Sequence, residues 1–214
     1  MSIETFERLP EEKKELIIGT GIREFSRASY TDVSTDEVTA GCGISKGILF
    51  HYFGSKKNYY LYCLDRAMQR LVSGGEGEDG DDFYGVIFGA MEKRIEVCRR
   101  FPNETRMVNM ASRDPSREIA PEKSELLGEY AGRIRAGSMR TVERAASHLG
   151  TGDPLRRKLV TEGLFMYVNA VINRYLASYL GEPDRFLEDA KAIEVEMRQY
   201  LDLMLYGILE GGDK

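Results

Sequence analysis

Apolar side chains recur along this chain at spacings of three and four, the period of a helix that buries one face. Ile18, Ile22 and Phe25 fall at i, i+4 and i+7, behind Pro10 and a Glu-Glu-Lys-Lys run that suits a first helical turn. Leu49 and Phe53 stand four apart in a shorter segment, and Tyr130, Ile134, Thr141, Ala145 and Leu149 lie near one face of a longer one. No stretch sustains the alternation of β-branched and polar residues that a strand needs, so the pattern predicts an all-α protein. Beyond residue 82 it predicts helices over 83–100, 103–112, 121–149, 154–180 and 183–209, broken at Phe101-Pro102, Asp114-Pro115, Gly150 to Gly152 and Gly181-Glu182. The two-residue link between the last two makes them antiparallel.

The stretch STDEVTAGCGISKGILFHYF, residues 34–53, is the most informative. Ser34 followed at three residues by Glu37 has the spacing of a capping box, so a short helix starts there. Val38 faces inward, Gly41 to Gly43 end the helix, Ile44 plugs the gap between two crossing helices, and Ser45 caps the next. Helix, glycine turn and helix in about twenty residues form the architecture that lays its second helix in a DNA major groove. In that second helix Leu49 and Phe53 point back into a small core, leaving Lys46, Gly47, Ile48, Phe50, His51 and Tyr52 to supply the outward positions. Glycine is costly inside a helix, and a bare backbone at Gly47 allows close approach to a phosphate or a base edge. Ser55 caps a connecting helix over 55–72 whose first turn is Lys56 and Lys57, the wrong sign for a helix amino terminus unless a phosphate sits there.

Charge sharpens this picture once it is resolved along the chain. The net charge of the 214 residues is −5, yet residues 1–72 are neutral and the acidic excess lies entirely beyond them. From Val38 to Leu64 there is no acid at all, while Lys46, Lys56, Lys57 and His51 are present, and it is local charge that decides what a surface meets. The segment SGGEGEDGDD, residues 73–82, holds four glycines and five acids and separates two helical regions as an acidic, glycine-rich loop.

Residues 13–60 resemble the amino-terminal domain of the TetR family of bacterial transcriptional regulators: an apolar-striped helix ending in Phe25, a turn written ASYTDVS, and the stretch ending GISKGILFHYFGSK. The resemblance implies a helix-turn-helix DNA-binding domain over residues 1–54 (three helices, with the motif at 34–53), the connecting helix at 55–72, and a helical bundle over 83–214 for ligand sensing and dimerisation. It implies that Ser34, Thr35 and Lys56 meet phosphates, that Ser45, Lys46, Gly47 and Ile48 lead the recognition helix into the groove, and that Phe50, His51 and Tyr52 lie on its groove face. Phe50 stands where the family usually has tyrosine, and Cys42 where it has a small alanine. The partners implied are a near-palindromic double-stranded operator, a second copy of the chain and a small-molecule effector, with repression as the expected output.

The carboxy-terminal half carries no such motifs. Its last predicted helix places Ile193, Met197, Leu201 and Met204 on one face, and the helix before it is apolar nearly all round from Leu164 to Leu180. A four-helix interface between two copies, with Tyr167, Val171 and Arg174 included, accounts for that; a large core within one copy is the alternative. Met91, Phe101, Met107, Met110, Tyr130, Met139, Met166 and Tyr167 are candidates to line an adaptable effector pocket, although methionines at helical spacing are more often plain core. Cys42, Cys63 and Cys98 form no CxxC pair, and His51 and His148 are far apart, so neither a metal site, a catalytic set nor a cofactor is expected. No apolar run is long enough for a membrane span, and the start MSIETFERLPEEKKE lacks a secretory core, so a cytoplasmic location is expected. Two rivals remain: a helical lipid carrier or enzyme using the carboxy-terminal cavity, and an architectural DNA binder without an effector.

Overall fold

The computed structural model describes residues 3–73, 80–150, 152–178, 185 and 188–207, and among these all regular structure is helical. In chain order the helices are α1 (Ile3–Glu7), α2 (Glu11–Phe25), α3 (Thr35–Cys42), α4 (Lys46–Phe53), α5 (Lys56–Ser73), α6 (Phe83–Arg100), α7 (Pro102–Arg113), α8 (Ala120–Ser147), α9 (Pro154–Ser178) and α10 (Ala190–Tyr206). The helices expected over 83–100, 103–112 and 121–149 are present as α6, α7 and α8 with ends displaced by at most two residues. Most of the acidic loop, the link between the last two helices and Ile208 lie outside the described residues. Helix α1 was not expected, because five residues are too few to show a period; tertiary contact holds it. Phe6 is fully buried, with its ring 4.9 Å from Phe53, 5.7 Å from Tyr52 and 5.5 Å from Tyr62.

Packing divides the chain into two compact units, Met1–Gly74 with Arg100–Arg133, and Gly75–Arg99 with Ile134–Lys214. Helix α7 and the first half of α8 pack in the same unit as the helix-turn-helix, although the sequence reading groups them with the helices beyond the 73–82 loop. Helix α5 explains this. It buries Tyr59, Tyr60, Cys63, Leu64, Ala67, Met68 and Val72, a broader face than α2 and α4 cover, and α7 packs against it and against α2 with Met107 and Ala111 buried. Polar contacts fasten the same elements. Arg70 pairs with Glu104 at 2.6 Å and with Glu15, Lys57 with Glu122 at 2.6 Å, and the Tyr130 hydroxyl donates to Asp65 at 2.7 Å.

Where α2 crosses α5 the backbones come close. The Tyr59 hydroxyl, fully buried, donates to the Ile17 carbonyl at 2.6 Å, and a Cβ at Gly21 would overlap that hydroxyl and lie 2.6 Å from Cys63 Sγ.

The second unit closes around Phe83, Val86, Ile87 and Phe88 of α6, Val142, Ala145 and Ala146 of α8, Leu164, Phe165, Val168, Val171 and Tyr175 of α9, and Ile193, Met197 and Leu201 of α10. Four residues expected at a dimer interface are thus core: Val171, Ile193, Met197 and Leu201 are 9%, 5%, 3% and 1% exposed. The stripe of α10 is spent inside its own chain, on α9 and their neighbours. At the edge of this core two arginines lie over aromatic faces, Arg198 over Tyr84 at 4.4 Å and Phe88 at 5.0 Å and Arg135 over Phe165 at 5.2 Å. No helix of the described residues is long and apolar enough to cross a membrane.

Gly21→Ala is expected to destabilise the protein by about 1–3 kcal/mol through overpacking at the crossing of α2 and α5. Gly19→Ala, with nothing within 4 Å of its Cβ, is expected to be neutral or slightly stabilising. Urea denaturation of both variants checks the pair, and equal effects would remove the close-approach argument.

Candidate nucleic-acid interface

Local chemistry sets the frame of α3 and α4. Ser34 sits in extended backbone and its hydroxyl accepts the Asp36 N–H at 3.2 Å, one residue short of the reciprocal box expected with Glu37. Helix α3 runs through Gly41 and ends at Gly43, whose φ of 65° is left-handed, a conformation that glycine adopts without the clash a Cβ would make. The Ile44 N–H then donates back to the Thr39 carbonyl at 3.1 Å, closing the turn. Ser45 caps α4, its hydroxyl accepting the Ile48 N–H at 3.3 Å. Cys42 is buried and its thiol donates to the Val38 carbonyl, so its replacement of alanine is a matter of packing.

The eight residues of α4 then sort by face. Leu49 and Phe53 are buried in the core, while Lys46, Gly47, Ile48 and His51 are exposed on the opposite side. Phe50 and Tyr52 are half-buried at the edges of that face, Tyr52 resting edge-on against Phe6. A side chain at Gly47 would meet only Ser45 Oγ, at 3.8 Å, so nothing within the chain requires glycine there. Thr35 and Ser34 stand half-buried at the start of α3, and Ser55 and Lys56 at the start of α5. The structure thus joins the two helix starts: Lys56 Nζ donates to the Thr31 carbonyl at 3.3 Å and lies 4.8 Å from the centre of the Tyr30 ring. Burial pushes the Lys56 ammonium below the usual lysine range, and the carboxylates of Glu118, Asp32 and Asp114 oppose that shift.

Sequence reasoning missed these partners. The window from Val38 to Leu64 lacks acids, yet Lys46 pairs with Asp36 at 3.0 Å and Lys57 with Glu122 at 2.6 Å, both carboxylates coming from outside the window. The Lys46 pair is exposed and contributes only about 0–1 kcal/mol, so an approaching phosphate can displace it. Tyr30 had one sequence signal, an aromatic residue inside a polar turn.

The eight residues singled out for an effector pocket do not fall in one compact unit. Phe101, Met107, Met110 and Tyr130 lie in the first, Met91, Met139, Met166 and Tyr167 in the second. Met107 is fully buried, so it is packed core, whereas Met166 is 67% exposed. The first unit does carry a groove of about 240 Å³, lined by Leu61, Asp65, Glu122, Glu125, Leu126 and Glu129, and four of these six are carboxylates. Among the described residues no group of three His, Cys, Asp or Glu side chains could hold a metal ion.

Known proteins share this arrangement. Residues 17–60 match the family model described as bacterial regulatory proteins, tetR family. Two uncharacterized HTH-type transcriptional regulators of Bacillus subtilis (strain 168) are similar: YuxN, 35% identical over 66 residues covering 29% of this chain and 23% of that protein, and YerO, 44% identical over 64 residues covering 28% and 22%. The matched region therefore spans about a quarter of the length of these relatives. The crystal structure of a TetR family transcriptional regulator from Chloroflexus aurantiacus J-10-FL has a TM-score of 0.56 at 21% identity, covering 94% of this chain and 95% of that one. A transcriptional regulator from Pseudomonas aeruginosa PAO1 has a TM-score of 0.53 at 15% identity, covering 91% and 94%. At these identities the likeness is one of fold, and it extends over both units. Through the helix, glycine turn and helix of its first unit, residues 17–60 carry the amino-terminal domain of the tetR family of bacterial regulatory proteins.

Proposed function

We propose that the protein is a cytoplasmic, dimeric repressor that holds a near-palindromic double-stranded operator through α3, α4 and the first turn of α5, and leaves it when a small apolar molecule binds the carboxy-terminal half. The observation that carries the DNA-binding part is the sorting of α4: Lys46, Gly47, Ile48 and His51 exposed on one side, Leu49 and Phe53 anchored on the other. A helix so held presents base-reading side chains without spending its own core. The hydroxyls of Ser34, Thr35 and Ser45 and the ammonium groups of Lys46 and Lys56 stand at helix amino termini, where backbone N–H groups and the helix dipole favour a phosphate. Phe50 and Tyr52, at the edge of the face, contact the sugar-phosphate wall by this reading.

Dimerisation is supported by what the second unit leaves uncovered. On α9, Leu155, Leu159 and Met166 are 66%, 61% and 67% exposed, and on α10 Val195, Leu203, Met204 and Tyr206 are 55%, 47%, 36% and 75% exposed. These recur at helical spacing on two helices, the pattern of a face that a second copy covers. Arg174, exposed beside Tyr200 and Glu196, and Tyr167, whose hydroxyl donates to the Tyr200 carbonyl at 2.9 Å, lie between the same helices.

The effector part is supported by the residues beyond α5, far more than a DNA-reading module needs, and by the packing of α7 on α5, which places any shift of α7 on the helix whose first turn carries Lys56. DNA and effector then weaken each other by the same factor, about 5 to 150-fold for couplings of this kind.

Three outcomes are expected. Lys46→Ala and Lys56→Ala each flatten the slope of log affinity against log salt by about 0.9 for every phosphate left without its ammonium partner, counted per subunit, whereas Ile48 substitutions change sequence preference. Fluorescence anisotropy on duplexes selected from random sequence by the wild-type protein measures both. Gly47→Ala gains up to about 1 kcal/mol of fold stability and loses DNA affinity, since the methyl fits the protein but not the groove wall; tighter DNA binding would refute the close approach. Leu203→Glu yields a folded, helical monomer in sedimentation, with Tm lowered only by the loss of the dimer contact, while Leu201→Glu unfolds the unit because it buries an unpaired charge. A wild-type monomer at micromolar concentration would end the dimer proposal.

A further inference from the structure

Tyr30 connects two parts of the first unit that are distant in sequence. Its backbone N–H donates to Asp114 Oδ2 at 2.6 Å and its hydroxyl to Glu118 Oε1 at 2.8 Å. The residue is 3% exposed, and its ring meets Tyr60 edge-on at 5.3 Å. Both carboxylates come from the turn between α7 and α8, which is itself tightly held. Asp114 Oδ1 accepts the Ser116 N–H at 2.8 Å, the Lys123 ammonium donates to the Asp114 carbonyl at 2.5 Å, and Ile119 is fully buried. Burial raises the Asp114 carboxyl, but the hydrogen bonds from Ser116 and Tyr30 and the charge of Lys123 outweigh it and leave the group below the usual carboxylate range.

Lys56 rests on the same tyrosine, its ammonium 4.8 Å from the ring centre and 3.3 Å from the carbonyl of the next residue, Thr31. The attraction of a cation for an aromatic face depends on where that face points. With both its backbone and its hydroxyl tied to one turn, the ring cannot move unless the turn does. Both ties are charge-assisted hydrogen bonds, that to Asp114 the shorter.

We propose that Asp114 and Glu118 are positioning residues for DNA binding: by holding Tyr30 they fix the Lys56 ammonium and the loop from Thr31 to Ser34 where phosphate is met. The inference rests on the reading of Lys56 as a phosphate contact. It also makes the α7–α8 turn a direct route from the carboxy-terminal helices to the DNA face, separate from any movement of α5. Electrostatics alone predicts the opposite sign. Two carboxylates near a phosphate-binding lysine weaken the local positive field, so a purely Coulombic role would have their removal tighten DNA binding.

The test uses the full chain and the selected duplex, with affinity measured across a salt series. Asp114→Ala is expected to weaken binding about tenfold, the equivalent of one charge-assisted hydrogen bond, and to flatten the salt slope as Lys56→Ala does. Asp114→Asn, which keeps an oxygen for the Tyr30 N–H while losing the charge, is expected to restore most of the affinity. In a Lys56→Ala background Asp114→Ala is expected to have little further effect. Binding by Asp114→Ala as tight as wild type or tighter overturns the inference, as does an undiminished tenfold loss in the Lys56→Ala background. Should Asp114→Ala unfold, Tyr30→Phe, which removes only the bond to Glu118, takes its place, with an expected loss of about threefold that also depends on Lys56. A Lys56→Ala protein with the wild-type salt slope removes the phosphate reading and the inference with it, whereas a normal Lys56→Ala result beside an additive Asp114→Ala removes the inference alone.

Discussion

The first unit depends on the buried face of α5. Tyr59, Tyr60, Cys63, Leu64, Ala67, Met68 and Val72 cover too wide an arc of that helix for one neighbour to shield, so α2, α4 and α7 all close on it. At roughly 25 cal/mol per Å² of apolar area removed from water, side chains of this size make that shared face the largest favourable term available to the unit. Helix α4 inherits its orientation from it. Phe53, at the end of α4, lies 4.9 Å from Tyr59 and 4.9 Å from Phe6, so the face of α4 that carries Gly47, Ile48 and His51 points outward because its other face is locked to α5.

Electrostatics adds direction to this frame with little stability. The lysines of the acid-free window each have an internal partner: Asp36 for Lys46, the Tyr30 ring and Thr31 carbonyl for Lys56, Glu122 for Lys57. The Lys46–Asp36 pair is exposed and weak, whereas Lys56 and Lys57 are half-buried at the start of α5. Lys57 differs from the other two, since its partner fastens α8 to α5.

In the second unit the same helical periodicity serves two purposes. One side of helix α9, with Leu164, Phe165 and Val168, completes the unit's own core, while Leu155, Leu159 and Met166 stay exposed. Helix α10 follows the same division, Met197 and Leu201 inward, Val195 and Leu203 outward.

The sequence by itself determined whatever depends on near neighbours. Helical period, the hydroxyls of Ser34 and Ser45, the left-handed turn at Gly43 and the inward pair Leu49 and Phe53 are properties of residues within about four positions of one another, and each was legible in the chain alone. The resemblance over residues 13–60 was legible for the same reason, since the motif is local. Tertiary structure decided which faces meet. That α7 packs with the helix-turn-helix, that the stripe of Ile193, Met197 and Leu201 fills its own chain, and that the eight candidate pocket residues divide between two units were all hidden, because an apolar stripe states that it will be buried and not by what. The carboxylates around Lys56 were hidden most completely. Asp114 and Glu118 stand more than fifty positions from it in the chain, and only the packing of α7 and α8 on the first unit brings their charge to Tyr30.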